Sequence, residues 1–596
     1  ARSLHNQYRS LDVTNIHTHG LHISGEAPGD SIFTEVAAGE SYTYTYKLPT
    51  NHMGGTFWYH PHHHGSTAIQ AGGGAAGMIV VEDAAGSVPA ALAAMEEVHL
   101  FMQHLNMPEL TTISQQYEAN CQAAGGTPAQ CDDPTWAAGP TSGTQGNVVL
   151  VNGMSEPSIS LSANRWYRFR MVFAAVDSVL TPELSGCTVM LIAKDGIYLS
   201  DAPRAISEGG YMGPGNRADW AVSCPAGAHT LTTGARRRRL QDGKGPGGGK
   251  MQGGGPGNAQ LAQTLATLTV VDDGDAPTTL AAGSWSGDFR KPCHLVDLYA
   301  QSSSTTTALN LGPAPQINGN RYATSTTYEA SFVVGAIHTL ALSGINAHPF
   351  HLHVNSFQLA TDPADTNGDY FKQGDWHDVL LLPDNAMDVV FQTDYYTGKQ
   401  VIHCHILEHE DEGMMLVTQV TGAEGTLLAA APTIDAACTA TTFGTAVAAD
   451  SPPPPPPLPP PPSPSPPPPS PGTTAITTDV TGAALEHPTI LSSTASAWSV
   501  ELNMSIYTYT GPDVVQQTRS YNGELVGPTI KVKAGDTLTV TLRNKLPVAG
   551  FDTSSLHNQY RTLDVTNIHT HGLHISGEAP GDSIFTEVAA GESYTY

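Results

Sequence analysis

Polar and apolar positions alternate with period two along much of the chain, which is the pattern of half-buried strands. Ser41–Leu48 (SYTYTYKL) puts three tyrosines on one face and polar residues on the other. Thr529–Leu542 (TIKVKAGDTLTVTL) reads as two strands around an Ala-Gly-Asp turn, and Val148–Leu161 and Trp166–Val172 behave alike. Amphipathic helical pattern is scarce. Such a chain must cover each apolar sheet face with a second sheet, so it is expected to be all-β and built of β-sandwiches.

Length and punctuation divide it further. At 596 residues the chain is long enough for several domains. Residues 3–44 recur at 555–596 with one change, Ser10 for Thr562, an offset of 552 residues from position 3 to position 555. A fixed-period repeat of this kind is read as a piece of a tandem array, starting partway through one unit and ending partway through the next. Between the units lies Ser451–Pro471 (SPPPPPPLPPPPSPSPPPPSP). Proline fixes φ and lacks a donor, so this tract is an extended polyproline II rod, spanning roughly 65 Å at ~3.1 Å per residue. It resembles the hydroxyproline-rich tracts of plant and algal wall proteins. A second biased stretch, 236–257, joins four arginines to a glycine-rich run and is read as a solvated loop.

The formal charge of −28 excludes a nucleic-acid binder, which needs a basic footprint. No apolar run reaches the ~18 residues of a membrane helix. Of seven cysteines, one is assigned to a metal below, and the other six suit three disulfides in an oxidising compartment. Their spacings suggest Cys121–Cys131, Cys187–Cys224 and Cys293–Cys438, one of fifteen pairings.

The chemistry is concentrated in four clusters: His17-Thr-His19-Gly20, His60-Pro-His62-His-His64, His348-Pro-Phe-His351-Leu-His353 and His403-Cys404-His405-Ile-Leu-Glu-His409 with Met414 beyond. Residues i and i+2 of a strand share a face, so each His-x-His presents two imidazoles together, and four pairs build an eight-imidazole cage. The middle residue of the last pair, Cys404, points the other way. With His348 and His409 it forms the His₂Cys trigonal set of a blue copper, and Met414 supplies the weak axial ligand. Structural zinc, with four mostly Cys ligands, fits poorly. His22, His52, His99, His104, His229, His338, His377 and one of His63 and His64 are read as ordinary surface or core residues.

In this order the four clusters resemble the multicopper oxidase family, and HCHILEHEDEGMM is similar to its bacterial spore-coat laccase and bilirubin oxidase branch. The resemblance spans roughly residues 1–432. It implies three cupredoxin-like Greek-key sandwiches, four copper ions, and a cluster between the first and third domains. On this basis His17 and His351 would hold the type 2 copper, and His19, His60, His62, His353, His403 and His405 the type 3 pair. Glu410 and Asp30 would handle protons. The expected domains are 1–83, 95–274 (with the loop 236–257), 275–432, a linker 433–497, and a partial fourth domain, 498–596. The first domain lacks the opening strands that members carry before the first cluster, and that pattern reappears at Trp498–Pro547. Those residues are therefore expected to dock onto 1–83 and complete it, leaving 553–596 surplus.

The expected activity is secreted and laccase-like: phenolic or aromatic-amine donors give electrons singly, and O₂ becomes water. The alternatives are a metallo-oxidase for Fe(II), Mn(II) or Cu(I), with Asp362, Asp365 and Asp369 as an acidic loop, and a wall-associated structural protein with a relict site.

Overall fold

The structure, a computed structural model, describes residues 13–123, 137–138, 147–234, 262–440, 482–510, 515–546, 565–566, 587–588 and 593–595. The polyproline tract, the loop 236–257, and the second copy of the first cluster at His569 and His571 lie outside the described residues.

The alternating tyrosines form the strand Ser41–Lys47, with Tyr42, Tyr44 and Tyr46 buried and Lys47 exposed. Its antiparallel neighbour comes from the far end of the chain: Thr537–Asn544 pairs with it in the register Ser41↔Arg543 to Lys47↔Thr537. On the facing sheet, Gly77–Glu82 runs parallel to Gly527–Lys533. One core joins the two ends, packing Tyr42, Tyr44, Phe57, Ile79 and Val81 against Leu502, Met504, Ile530, Val540 and Leu542. The expected docking of residues 498–547 is thus observed over its described part, and the docked segment is itself extended by Ile490–Leu491, which pairs with Thr529–Ile530. The preceding residues also dock: Ser158 N–H donates to the Ala483 carbonyl (2.7 Å) and Leu485 N–H to that of Ser158 (2.8 Å). The described pieces of the tail add at edges, Val565–Thr566 and Glu587–Val588 on Glu35–Val36 and Ser593–Thr595 parallel to Ser41–Thr43.

Two further pairs of sheets follow. A seven-stranded sheet centred on Tyr167–Ala174 and Arg217–Ser223 faces a four-stranded one, and two five-stranded sheets hold residues 305–421. Buried ion pairs lock the pairs of sheets together. Arg168 binds Asp219 and Asp83, and Lys194 and Arg204 share Asp375. Cys187–Cys224 and Cys293–Cys438 are disulfides as expected; Cys121 is disulfide-bonded, and its expected partner Cys131 lies outside the described residues.

Among the described residues the longest departure from the strand pattern is helical. Met107–Ala123 is a 17-residue helix. Its buried face, Leu110, Ile113 and Tyr117, packs on Ala68 and Ile69 of the short helix Thr67–Gly72 and on Leu407. Helix Thr67–Gly72 follows the second cluster and Leu407 follows the fourth, so this small core fixes one relative to the other.

Candidate metal centre

Cross-strand pairing brings the clusters together. His17 stands opposite His60 where His17–His19 pairs with Gly55–His60, and His351 stands opposite His403 where Phe350–Leu352 pairs with Gly398–Cys404. Directly opposed residues share a face. Phe350↔Cys404 is the next pair, so the thiol lies on the other face from His403, as strand alternation requires. Strand alternation does not extend over every His-x-His pair. Only His17–His19 is a strand along its whole length; His62, His353 and His405 lie just past strand ends. Turns there let imidazoles from four different strands converge, which straight strands would not.

All eight cage histidines are buried. His62 Nε2 lies 3.2 Å from His403 Nε2, which lies 3.1 Å from His353 Nε2; His405 Nε2 lies 3.1 Å from His19 Nδ1. His17 stacks on His353 (ring centres 4.5 Å apart) and His19 on His351 (4.0 Å). Burial lowers the pKa of His62 to about 3 and that of His403 to about 4, and holds His19, His60, His351 and His405 well below the ordinary imidazole range. These rings are therefore neutral, with lone pairs facing one another. The outer nitrogens are fixed by acceptors: His60 Nδ1 at 2.8 Å from the Pro61 carbonyl, and His351 Nδ1 at 2.7 Å from that of Asp378. His60 Nε2 is left buried without a hydrogen-bond partner. A cage of neutral, inward-facing donors is the complement of a metal cation that favours imidazole.

On the opposite face, Cys404 Sγ lies 3.7 Å from His348 Nδ1 and 3.7 Å from His409 Nδ1. Groups of His, Cys and acidic residues whose ligand atoms fall within 4.8 Å of one another include His348–Cys404–His409, His17–His62–His353 and His351–His353–His403. Burial pushes the Cys404 thiol far up and lowers His348 and His409 to about 4, so without a cation the thiolate is strongly disfavoured. Met414 is fully buried, and its carbonyl accepts from Cys404 N–H at 3.0 Å.

Both expected proton carriers adjoin the cage. Glu410 is buried, its carboxyl 3.0 Å from His62 Nδ1 and 3.5 Å from His403 Nδ1, and it accepts from Thr67 Oγ1 at 3.2 Å. Burial pushes its pKa up to about 7. Asp30 accepts from Thr18 N–H at 2.9 Å and lies 3.2 Å from His17 Nδ1, so it both caps the loop and orients the ring.

Several contributors were not singled out from sequence. Asp411 accepts from the N–H groups of Gly65, Thr67 and Ala68 and so anchors the second cluster to the fourth. Glu408, 3.7 Å from His409 Nε2, is pushed up to about 9 by burial and by the adjoining Glu109 carboxyl. Asp378 lies 3.0 Å from His19 Nε2. The acidic loop serves itself: Asp362 accepts from Gln373 N–H and Asp365 from Asn367 N–H. His22, His52, His99 and His377 are buried in ordinary polar contacts, as expected; His63 bonds Ser66, and His64 packs on Tyr322.

Two family models, both described as Multicopper oxidase, match this chain, one over residues 299–424 and the other over 3–86 and again over 504–596. Laccase-2 of Pleurotus ostreatus is 24% identical over 461 residues, covering 68% of this chain and 76% of that one. A multicopper oxidase of Staphylococcus haemolyticus is 40% identical over 82 residues, 12% of this chain and 16% of that one. Among solved structures, the McoA multicopper oxidase of Aquifex aeolicus gives a TM-score of 0.47 at 18% identity, covering 70% of this chain and 86% of that one. No helix among the described residues is long and apolar enough to cross a membrane.

Proposed function

The chain belongs to the multicopper oxidase family, and on that premise we propose that it is a laccase-like oxidase coupling one-electron oxidation of phenolic or aromatic-amine donors to the four-electron reduction of O₂ to water. The family implies copper. In this reading His348, Cys404 and His409, together with Met414, would hold a type 1 ion. His17 and His351 would hold a type 2 ion, and His19, His60, His62, His353, His403 and His405 a type 3 pair, four ions in all. Copper supplies reversible one-electron chemistry and a binding point for O₂.

This chain's own residues supply the rest. The observation that carries the reading is the Cys404 thiol, held between two imidazoles at 3.7 Å and flanked in sequence by two cage histidines. His403 and His405 thereby link the donor side to the cage by a short covalent path. Donors would meet the edge of His409, whose side chain is 12% exposed, while the cage itself excludes water. Glu410, with a pKa near neutrality and bonded to Thr67, can hold a proton beside His62 and release it inward; Asp30 is the second carboxyl group placed against the cage, beside His17.

A metal-ion donor is the second reading, favoured by the Glu109, Asp177 and Glu412 carboxyls around Glu408, next to His409. We further read the three pairs of sheets as three domains, near 1–83 with 490–546, 95–274 and 275–432. The disulfides and the polyproline tract support secretion and association with a cell wall.

The copper-loaded chain should show a strong blue absorption band that Cys404→Ser abolishes together with turnover. A band that survives the substitution refutes the assignment. O₂ uptake measured with a phenol and with Fe(II) then separates the two donors: saturation by Fe(II) with no phenol activity would select the metallo-oxidase.

A further inference from the structure

The cage is built between the first and last pairs of sheets, yet the middle pair reaches it. Arg217, at the start of the strand Arg217–Ser223, is fully buried. Its Nη1 and Nη2 donate to the two oxygens of Asp378, and its remaining N–H groups to the carbonyls of Thr56, Gly215 and Asp195. Asp378 in turn lies with Oδ1 3.0 Å from His19 Nε2, and its main-chain carbonyl lies 2.7 Å from His351 Nδ1. The neighbouring chain is equally constrained: Asn216 Nδ2 donates to Asp195 and to the Val379 carbonyl, and His377 Nδ1 is 2.9 Å from Asp195. Two glycines leave room for this arrangement. A Cβ on Gly20, whose φ is +91°, would overlap the Arg217 guanidinium and the Asp378 carboxylate. A Cβ on Gly215, φ +88°, would come within 2.9 Å of His405 Nε2 and 3.0 Å of His19 Cε1. The glycine of the first cluster thus makes way for an arginine from another domain.

We propose that Arg217 and Asp378 form a positioning clamp that fixes the tautomer and orientation of His19, and so the part of the cage that His19 shares with His405. Arg217 has only donors, so it holds both Asp378 oxygens as acceptors. An acceptor at Nε2 puts the His19 proton there and leaves Nδ1, which faces His405 Nε2 at 3.1 Å, as the lone pair. Removing a partner of this kind typically weakens metal binding by about 10–100-fold.

The clamp rests on the copper reading above, and its test separates the two. Oδ1 of Asp378 serves both Arg217 Nη1 and His19 Nε2, so the variant must remove that oxygen. Asp378→Leu takes away both acceptors and leaves the His19 proton free to sit on Nδ1, inside the cage. The copper-loaded variant should keep the parent's blue band per chain but carry fewer copper ions per chain, with cage affinity in chelator competition at least about tenfold weaker. Adding Arg217→Met removes the unpaired buried cation but returns no acceptor to His19, so the affinity should stay low; a merely structural role would be rescued. Parent-like copper content in Asp378→Leu, or recovered affinity in the double variant, overturns the clamp. If Asp378→Leu does not fold, Gly20→Ala, which displaces the guanidinium and the carboxylate, is scored on the same readouts, and normal copper content there overturns it as well. A parent chain that takes up no copper would instead refute the proposed function.

Discussion

The pairing of Ser41–Lys47 with Thr537–Asn544 can be locked covalently. Thr43 and Thr541 stand directly opposite each other, their hydroxyl oxygens 2.9 Å apart across a sequence separation of 498 residues. Opposed antiparallel residues have Cβ atoms ~4.5–5.5 Å apart, close to the ~3.5–4.5 Å a disulfide requires, so a small strand adjustment suffices. Thr43→Cys with Thr541→Cys should therefore oxidise to an intrachain bridge. The natural cysteines offer little competition, because five are disulfide-bonded among the described residues and Cys404 is buried. Closing a loop of about 500 residues removes denatured-state entropy worth ~6 kcal/mol at 25 °C in the chain-entropy picture, before strain is deducted. Peptide mapping without reductant identifies the bridge, and scanning calorimetry with and without reductant reads the stabilisation. Free thiols after oxidation, or bridges only between two chains, would refute the intrachain completion of the first sandwich.

Three further outcomes follow from the site and its supports. His62→Ala should leave the Cys404 centre blue and reducible by donor while O₂ consumption stops; normal oxygen uptake would remove His62 from the cage. Glu410→Gln should keep full copper content while turnover falls, and copper loss or unchanged turnover would count against a proton-handling role. Asp375 is buried, which alone would raise its pKa, yet Lys194 and Arg204 hold it well below the usual carboxylate range. A depressed carboxyl stabilises fully above its unfolded pKa near ~4 and loses that contribution as pH falls below it. Asp375→Asn should therefore flatten the acid limb of the Tm profile and lower Tm at neutral pH, through a loss of ~3–5 kcal/mol of stability from leaving buried cations unpaired; a profile parallel to the parent's would show the reasoning wrong.

The cage was legible because its chemistry is local: each His-x-His announces itself within three residues, and Cys404 inherits its opposite face from His403. The helix Met107–Ala123 was legible too, though not read. Asn106 Oδ1 caps it by accepting from Glu109 N–H at 3.2 Å, and Asn-x-Pro-Glu is a helix start written in sequence. Its apolar face is only a few side chains wide, too narrow to outweigh strand alternation on either side. Asp378, Arg217 and Asp411 were not legible by any local rule. Arg217 and Asp378 are 161 residues apart, and Asp411 is 346 from Gly65. Buried charges far apart in sequence are matched by the tertiary fold alone. In the acidic loop, Asp362 and Asp365 accept from the N–H groups of Gln373 and Asn367, contacts that the sequence did not announce either.

The strand from the far end also bears on the order of folding. Thr537–Asn544 lies about 500 residues beyond Ser41–Lys47, so their pairing is among the least local contacts of the fold. Loop closure costs entropy before so distant a contact can reward it, and the more local strand pairs of the two later sandwiches are expected to form faster. The His17–His19 strand belongs to the sandwich that this pairing completes, so a cage that draws on all four clusters assembles no sooner than the slowest sandwich does.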